Sequence, residues 1–561
     1  MQRFTLLTVL SAALLAGCNS LSTTPPPPDP PPPTSGMVPA QDYNAAAGAF
    51  GAPPADAAQM GQWSNVIPNW PALAIHTTLL PDGSVITFGG NNYPNWQQYA
   101  GKTNIQYPNK VDVWNPATNS HTDASYIGSS LFCGGHTLLP DGRLLVTGGD
   151  DLSKLSAGGT GGGTYSAEAG IRETHIYDYR SKSWVKGQDM TDKRWYPTNI
   201  ALPSGDVLVM GGNRENNSDL SDLPEVFNWQ SGQWRALTGA QQKTEFYPWL
   251  FLLSDGRVIN VGGGKYMSDS GTTTGLYDVN GAGSFTPYDR GDNRYRDYGT
   301  AVMYAPDKIL VIGGGGDANV RFNPQPQQPP TNTALVISYD PNTKQASKGV
   351  PTGSMKVGRR MATSTLLPDG TVLVTGGTSG IGFSDYRTAV HDTELWNPAS
   401  GQFTSLARMD EARVYHSTAL LLPDASVLVS GGGAYSEQPS SGYDTWRNAQ
   451  VFKPPYLFKG PRPSIKSVSS AVVAYNSTFD VTTANAADAP QIDKATLVRL
   501  GSVTHAFNMN QRINDLNIVS QGNGKLTLRA PASANLAPPG QYMLFVLKNG
   551  VPSVARILTL K

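Results

Sequence analysis

Seven times along this chain a run of apolar residues meets an LPDG-like corner, returns as a second run rich in Val, Ile, Leu and Thr, and ends in paired glycines. The segments are AIHTTLLPDGSVITFGG, CGGHTLLPDGRLLVTGG, YPTNIALPSGDVLVMGG, YPWLFLLSDGRVINVGG, GTAVMYAPDKILVIGG, MATSTLLPDGTVLVTGG and HSTALLLPDASVLVSGG. An Asp-Gly corner between two β-branched runs is a hairpin signature, and paired glycines let backbones approach closely. The corners begin at Pro81, Pro140, Pro203, Ser254, Pro306, Pro368 and Pro423, 51 to 63 residues apart.

A period near 50 residues is that of a kelch-type unit, one four-stranded blade of a propeller. Further strand-turn segments such as VDVWNPATN, THIYDYRSKSW and TELWNPASGQF follow six of the hairpins, whereas the seventh runs into AQVFKPPYLF. The stretch from Trp63 to Trp70 is therefore expected to supply the missing outer strand and close the ring. With 60 Gly, 43 Pro and no long amphipathic stretch, the expected fold is all-β: a seven-bladed propeller over residues 59–455 and a β-sandwich over 456–561. Balanced charge, 42 basic against 42 acidic residues, gives no reason to expect nucleic acid as a partner.

The first residues, MQRFTLLTVLSAALLAGCNS, read as an export signal ending in a lipoprotein box, which makes Cys18 the expected lipidated residue and residues 1–17 the signal. Residues 18–58 are rich in Pro, Ala and Gly and read as an extended spacer. The expectation is an exported bacterial lipoprotein, anchored to a membrane and facing the periplasm or cell surface. A monomer is expected.

Residues at one offset from the corner of each blade should face a common centre. Seven places before the corners stand Ala74, Cys133, Tyr196, Tyr247, Gly299, Met361 and His416, with Tyr415 one place earlier in the last. A thiol, two phenols and an imidazole thus converge where propeller pockets form. By itself Cys133 reads as a small buried residue. Of the seven histidines, His76 and His136 lie off the ring offset and read as structural, while His505 sits in the C-terminal segment. Imidazole and phenolate donors suit copper better than the closed Cys/His cages of zinc, and neither CxxC nor HExxH competes.

FCGG at Cys133, RWYPT at Tyr196, RVYHS at Tyr415 and His416, and VTHAFNMNQR at His505, in that order on a seven-unit frame, resemble the galactose oxidase and glyoxal oxidase family of copper radical oxidases. RWYPT is closer to the glyoxal oxidase branch, since galactose oxidase has glycine where Trp195 stands. The resemblance implies one copper ion held by Tyr196, Tyr415, His416 and His505, and a self-generated Cys133–Tyr196 thioether that carries a radical. It implies oxidation of a primary alcohol to an aldehyde, or of a hydrated aldehyde to an acid, with O2 reduced to H2O2. The substrate would be a small alcohol, aldehyde or carbohydrate. Cys133, Tyr196 and Tyr415 would be the reacting residues.

The same resemblance aligns Arg290 with a substrate-contacting arginine, and Tyr247, Tyr298 and Trp195 are further candidates for the pocket wall. The tryptophan that stacks on the cross-linked tyrosine in galactose oxidase has no counterpart after the blade-three glycines, where this chain reads GGNRENNSD. The C-terminal sandwich resembles the early-set immunoglobulin-like domain of these oxidases, and its VTH loop would have to reach the propeller centre. The alternative is a non-catalytic kelch scaffold binding a partner at the cell surface. Such a scaffold gives no reason for Cys, Tyr, Tyr-His and a distant His in this order.

Overall fold

The computed structural model describes residues 50–90, 107–154, 169–216, 219–265, 274–292, 294, 296–315, 329–381, 386–433 and 446–561. The export signal, Cys18 and the proline-rich spacer lie outside the described residues. No helix among the described residues is long and apolar enough to cross a membrane.

Each corner joins two antiparallel strands, from Leu73–Leu79 with Val85–Gly90 in the first hairpin to Ser417–Leu421 with Val427–Gly431 in the last. Among the described residues the seven hairpins fall into seven separate sheets, each extended outward by further strands. At the corners themselves Leu80 donates to Ser84 and Gly83 to Leu80, with Gly83 at φ 83°, which only glycine adopts without strain. The last sheet takes its outer strand from the opposite end of the fold: Gln62–Trp63 pairs with Lys453 and Phe452. This is the strand expected from the stretch between Trp63 and Trp70.

The ring register is visible in the backbone. Five of the seven offset residues, Cys133, Tyr196, Tyr247, Met361 and His416, have φ between 45° and 72°. Such a conformation costs a non-glycine residue on the order of 1–3 kcal/mol and persists only where surrounding contacts enforce it. The enforcing contacts run from sheet to sheet: Tyr196 donates its N–H to Cys133 O (2.9 Å), Tyr247 to Tyr196 O (2.9 Å) and Met361 to Tyr298 O (2.8 Å). The fifth hairpin departs from the expected register. Its left-handed residue is Tyr298, at φ 51°, instead of Gly299. The pairing shifts between Met303 and Ala305, so Tyr304 is an extra, bulged residue that moves the ring place back by one.

Four buried arginines stitch these sheets in a way the sequence reading missed. Arg194, Arg296, Arg359 and Arg413 each donate Nη1 to the carbonyl of a glycine that ends the same hairpin, Gly211, Gly313, Gly376 and Gly431, at 2.7–3.3 Å. For three of them the second glycine of the preceding hairpin donates back to the arginine carbonyl: Gly149 to Arg194, Gly314 to Arg359 and Gly377 to Arg413. Arg194 and Arg359 also pair with the buried carboxylates of Glu225 and Glu394. Each of the four lies two or three residues before its ring residue and so fixes where that residue emerges.

The C-terminal segment forms two further sheets, built around Thr478–Thr483 and Gly540–Lys548. One excursion leaves them: Ser502–Thr504 pairs with the innermost strand of the first hairpin (His76 with Thr504, Thr77 with Val503, Thr78 with Ser502) and turns back as Phe507–Asn508. This inserted hairpin carries the C-terminal histidine into the interior.

Candidate metal and radical centre

At the tip of the inserted hairpin, His505 (φ 46°) and Ala506 (φ 68°) occupy the two turn positions between paired Thr504 and Phe507. Two left-handed residues make a type I′ turn, usually the province of Asn-Gly. Here a histidine and an alanine hold it, and only 1–2% of either is exposed.

Four donor rings gather around that tip. The His505 ring lies 4.7 Å from His416, 4.6 Å from Tyr196 and 5.4 Å from Tyr415, and Tyr415 stacks on His416 at 3.7 Å. The Tyr196 and Tyr415 hydroxyls are hydrogen-bonded to each other. His416 Nδ1 donates to Gly433 O (3.0 Å), which makes Nε2 its lone-pair nitrogen. His505 Nδ1 is engaged by the Thr504 hydroxyl (2.6 Å), and its Nε2 lies 4.0 Å from Cys133 Sγ. Burial lowers the His416 pKa to about 3, and burial with the neighbouring His416, His76 and His136 holds His505 well below its usual range. Both imidazoles are thus neutral and oriented, as a metal ligand requires.

Among the described residues no three His, Cys, Asp or Glu side chains gather at metal-binding distance. A metal here must therefore draw on the phenols, and two imidazoles with two phenols form a donor set that fits copper. Tyr415 is the half-buried member; Tyr196, His416 and His505 are buried, so the cluster meets solvent past Tyr415.

Cys133 and Tyr196 sit on neighbouring sheets, joined by the Tyr196 N–H to Cys133 O bond, in one apolar cluster with Trp195 and Tyr247. Trp195 supplies the stack whose source the sequence left open. Its ring lies 3.7 Å from that of Tyr196 at 10°. Tyr247 flanks the same phenol at 4.5 Å and 28°, and donates its hydroxyl to Gly134 O (3.2 Å).

His76 is no bystander to Cys133. Its Nε2 accepts the Cys133 N–H at 3.2 Å, helping to hold the left-handed backbone there. His136 packs edge-on against His76 at 5.1 Å.

The wall candidates divide. Tyr298 meets Tyr415 edge-on at 5.6 Å, beneath the Arg360 guanidinium (5.5 Å), which also pairs with Asp297. Arg360, immediately before the ring residue Met361, was missed; adjacency to the ring was its signal. Arg290 donates Nη1 to Val261 O (2.7 Å) and Nη2 to Arg294 O (2.9 Å). Val261 immediately precedes the glycines of the fourth hairpin, where Glu245 occupies the place of the stitching arginine. Arg290 thus reaches the fourth hairpin one residue before the glycine position that the resident arginines bond in theirs.

Residues 342–456 match the glyoxal oxidase N-terminus family, and residues 462–560 match the galactose oxidase-like early set domain. Both halves of that match point the same way: the chain is similar to the galactose oxidase and glyoxal oxidase family. A galactose oxidase of Gibberella zeae is 30% identical over 465 residues, 79% of this chain; the chain spans only 63% of that relative's length. The aldehyde oxidase GLOX of Vitis pseudoreticulata is 25% identical over 531 residues, covering 88% of this chain and 96% of the relative. The fold is that of a fungal alcohol oxidase solved in complex with copper, with a TM-score of 0.72 over 90% of this chain at 24% identity.

Proposed function

We propose that the chain is a mononuclear copper radical oxidase, built on a seven-bladed kelch-type propeller over residues 59–455 and closed by the early-set sandwich over 456–561. Its reaction is RCH2OH + O2 → RCHO + H2O2, with hydrated aldehydes as an alternative substrate. The observation that carries this reading is the hydrogen-bonded Tyr196–Tyr415 pair flanked by two neutral imidazoles, with Trp195 stacked on Tyr196. The names of relatives, galactose oxidase and aldehyde oxidase, support the reaction class and leave both alcohols and aldehydes as substrates.

Tyr196, Tyr415, His416 and His505 would hold the copper, which when bound supplies Lewis acidity and one of the two one-electron acceptors. Tyr415, the donor nearest solvent, accepts the substrate hydroxyl proton. Tyr196, oxidised to its radical and joined to Cys133 Sγ, takes a hydrogen atom from the substrate carbon. Trp195 and Tyr247 enclose the Tyr196 ring in apolar surroundings and keep water from the radical. Tyr298, with Arg360 above it, walls the approach to Tyr415. A binding scaffold would need none of these arrangements.

In the same reading, Cys18 carries the lipid of an exported, membrane-anchored monomer, and residues 18–58 hold its body off the surface.

Peptide mass spectrometry after copper and oxygen exposure tests the reading. A Cys133–Tyr196 linked peptide two hydrogens lighter than its parts is expected, together with peroxide release from alcohols. No linked peptide after full copper loading would refute it. Cys133→Ala should fold, lose the link and lose most turnover.

A further inference from the structure

The ladder of amides and carbonyls around the ring changes character at one residue. Tyr196, Tyr247 and Met361 each donate their N–H to the ring-place carbonyl of the preceding hairpin. On that pattern the acceptor for Cys133 N–H would be Ala74 O. Instead the pairing of the first hairpin shifts between Ala74 and His76, Ala74 O receives the Thr418 hydroxyl (3.5 Å), and Cys133 N–H goes to His76 Nε2 at 3.2 Å. A side chain has taken the place of a backbone acceptor, at the residue whose sulfur the oxidase reading joins to Tyr196.

The imidazole is built into that place. His76 is fully buried, stacks on Phe88 at 4.8 Å and 10°, and meets His136 edge-on at 5.1 Å. Gly89, at φ 103°, opens the slot: a Cβ there would lie 2.3 Å from His76 Cδ2. Because Nε2 accepts, Nδ1 carries the ring hydrogen, and the ring must be neutral. Burial, with His136 and His416 nearby, holds its pKa well below the usual range.

The backbone of His76 pairs with Thr504, the residue before His505. One residue thus fixes two parts of the centre, the turn that carries His505 and the amide of Cys133. Cys133 is gripped on both sides, through its N–H by His76 and through its C=O by the Tyr196 N–H (2.9 Å). Its left-handed backbone (φ 61°) and the direction of its side chain are set by that grip. Sγ emerges 4.0 Å from His505 Nε2, and the Tyr196 ring packs against the same imidazole at 4.6 Å.

We propose that His76 is a positioning residue for cross-link formation: by accepting the Cys133 N–H it aims Sγ at the Tyr196 ring, and the rate of thioether formation depends on it. The inference rests on the oxidase reading. In the step it serves, the Cys133 S–H and one ring C–H of Tyr196 break and a C–S bond forms. The two electrons and two protons released reduce O2 to H2O2. His76 takes no part in these bond changes; it holds one reactant in the orientation that makes them fast.

The test follows the Cys133–Tyr196 peptide by mass spectrometry over time, after the full chain, prepared copper-free and unlinked, is given copper and air. His76→Leu removes the acceptor and should slow linking by at least about tenfold, with copper uptake unchanged. His76→Gln, whose amide oxygen reaches about as far as Nε2, should restore much of the rate; His76→Asn, one carbon shorter, should not. His136→Phe disturbs the packing around His76 but leaves the bond to Cys133, so it should link at the parent rate. Should His76→Leu fold poorly, the contrast between Gln and Asn carries the test. Parent-like linking in His76→Leu or His76→Asn, or an equal slowing in His136→Phe, would overturn the proposal and leave the oxidase reading standing. A parent chain that never links overturns both.

Discussion

Replacing alanine by glycine at two buried positions measures the strain stored at the tip of the inserted hairpin. Ala506 sits at φ 68° with 2% of its surface exposed; Ala74 lies in the strand Leu73–Leu79 with 1% exposed. In both cases the substitution removes one buried methyl, worth about 0.8 kcal/mol. It also loosens the unfolded chain, worth about 0.5–1 kcal/mol. Nothing offsets these losses at Ala74, so Ala74→Gly should cost about 1.3–1.8 kcal/mol. At Ala506 the L-residue already bears about 1–2 kcal/mol for its left-handed backbone, and glycine relieves it. Ala506→Gly should therefore fall within about 0.8 kcal/mol of the parent. Equilibrium urea unfolding of the copper-free protein, followed by tryptophan fluorescence, reads the difference, and a gap of about 1–2 kcal/mol separates the variants. Equal losses at the two sites would refute the claim that the His505 turn is strained.

Three further outcomes are expected. Trp195→Phe keeps a ring beside Tyr196 but shrinks the 3.7 Å stack, so the oxidised radical should decay faster in electron paramagnetic resonance while copper content stays unchanged; an unaltered lifetime would exclude Trp195 as the stabilising ring. Burial lowers His416 and His136 to about 3. Between pH 6.5 and 3 the unfolded chain takes up two protons on these histidines while the folded copper-free chain refuses them, and His505 and His76, also held well below their usual range, act in the same direction. Stability is thus fully present above about pH 6.5 and falls by at least about 2.7 kcal/mol per unit as pH drops through that window, in urea titrations at several pH values. Removing either partner of the Arg359–Glu394 pair alone should cost about 3–5 kcal/mol, while the double variant Arg359→Met/Glu394→Met should recover much of that loss in thermal unfolding.

The sequence was informative wherever position could be counted from a hairpin corner. Cys133, Tyr196, Tyr247 and His416 were legible because strand length is constant from sheet to sheet, so one offset puts each at the same left-handed place. Tyr298 escaped that count: the bulge at Tyr304 adds a residue without altering the apolar pattern. Trp195 was visible as a residue but not as the stack, because whether neighbours along the chain lie face to face depends on the backbone angle at Tyr196. The stitching arginines read as ordinary polar residues; only the structure pairs them with glycine carbonyls 17 or 18 residues on. Arg290, aligned with a substrate contact in the linear sequence, is seen in the folded chain to donate to Val261 O in the fourth sheet, where Glu245 stands in the arginine place.

The order in which the ribosome delivers this chain is also the order in which the centre can be assembled. Gln62–Trp63 emerges early and waits for Lys453, which follows only after the other six hairpins have been made. Tyr196 is older than Tyr415 and His416 by more than two hundred residues of synthesis, and His505 arrives last, on a hairpin that must thread into a ring already closed or close together with it. A nascent or truncated chain therefore holds phenols and a thiol but no cage for a metal. In the proposed reading, copper loading would wait until His505 has been delivered.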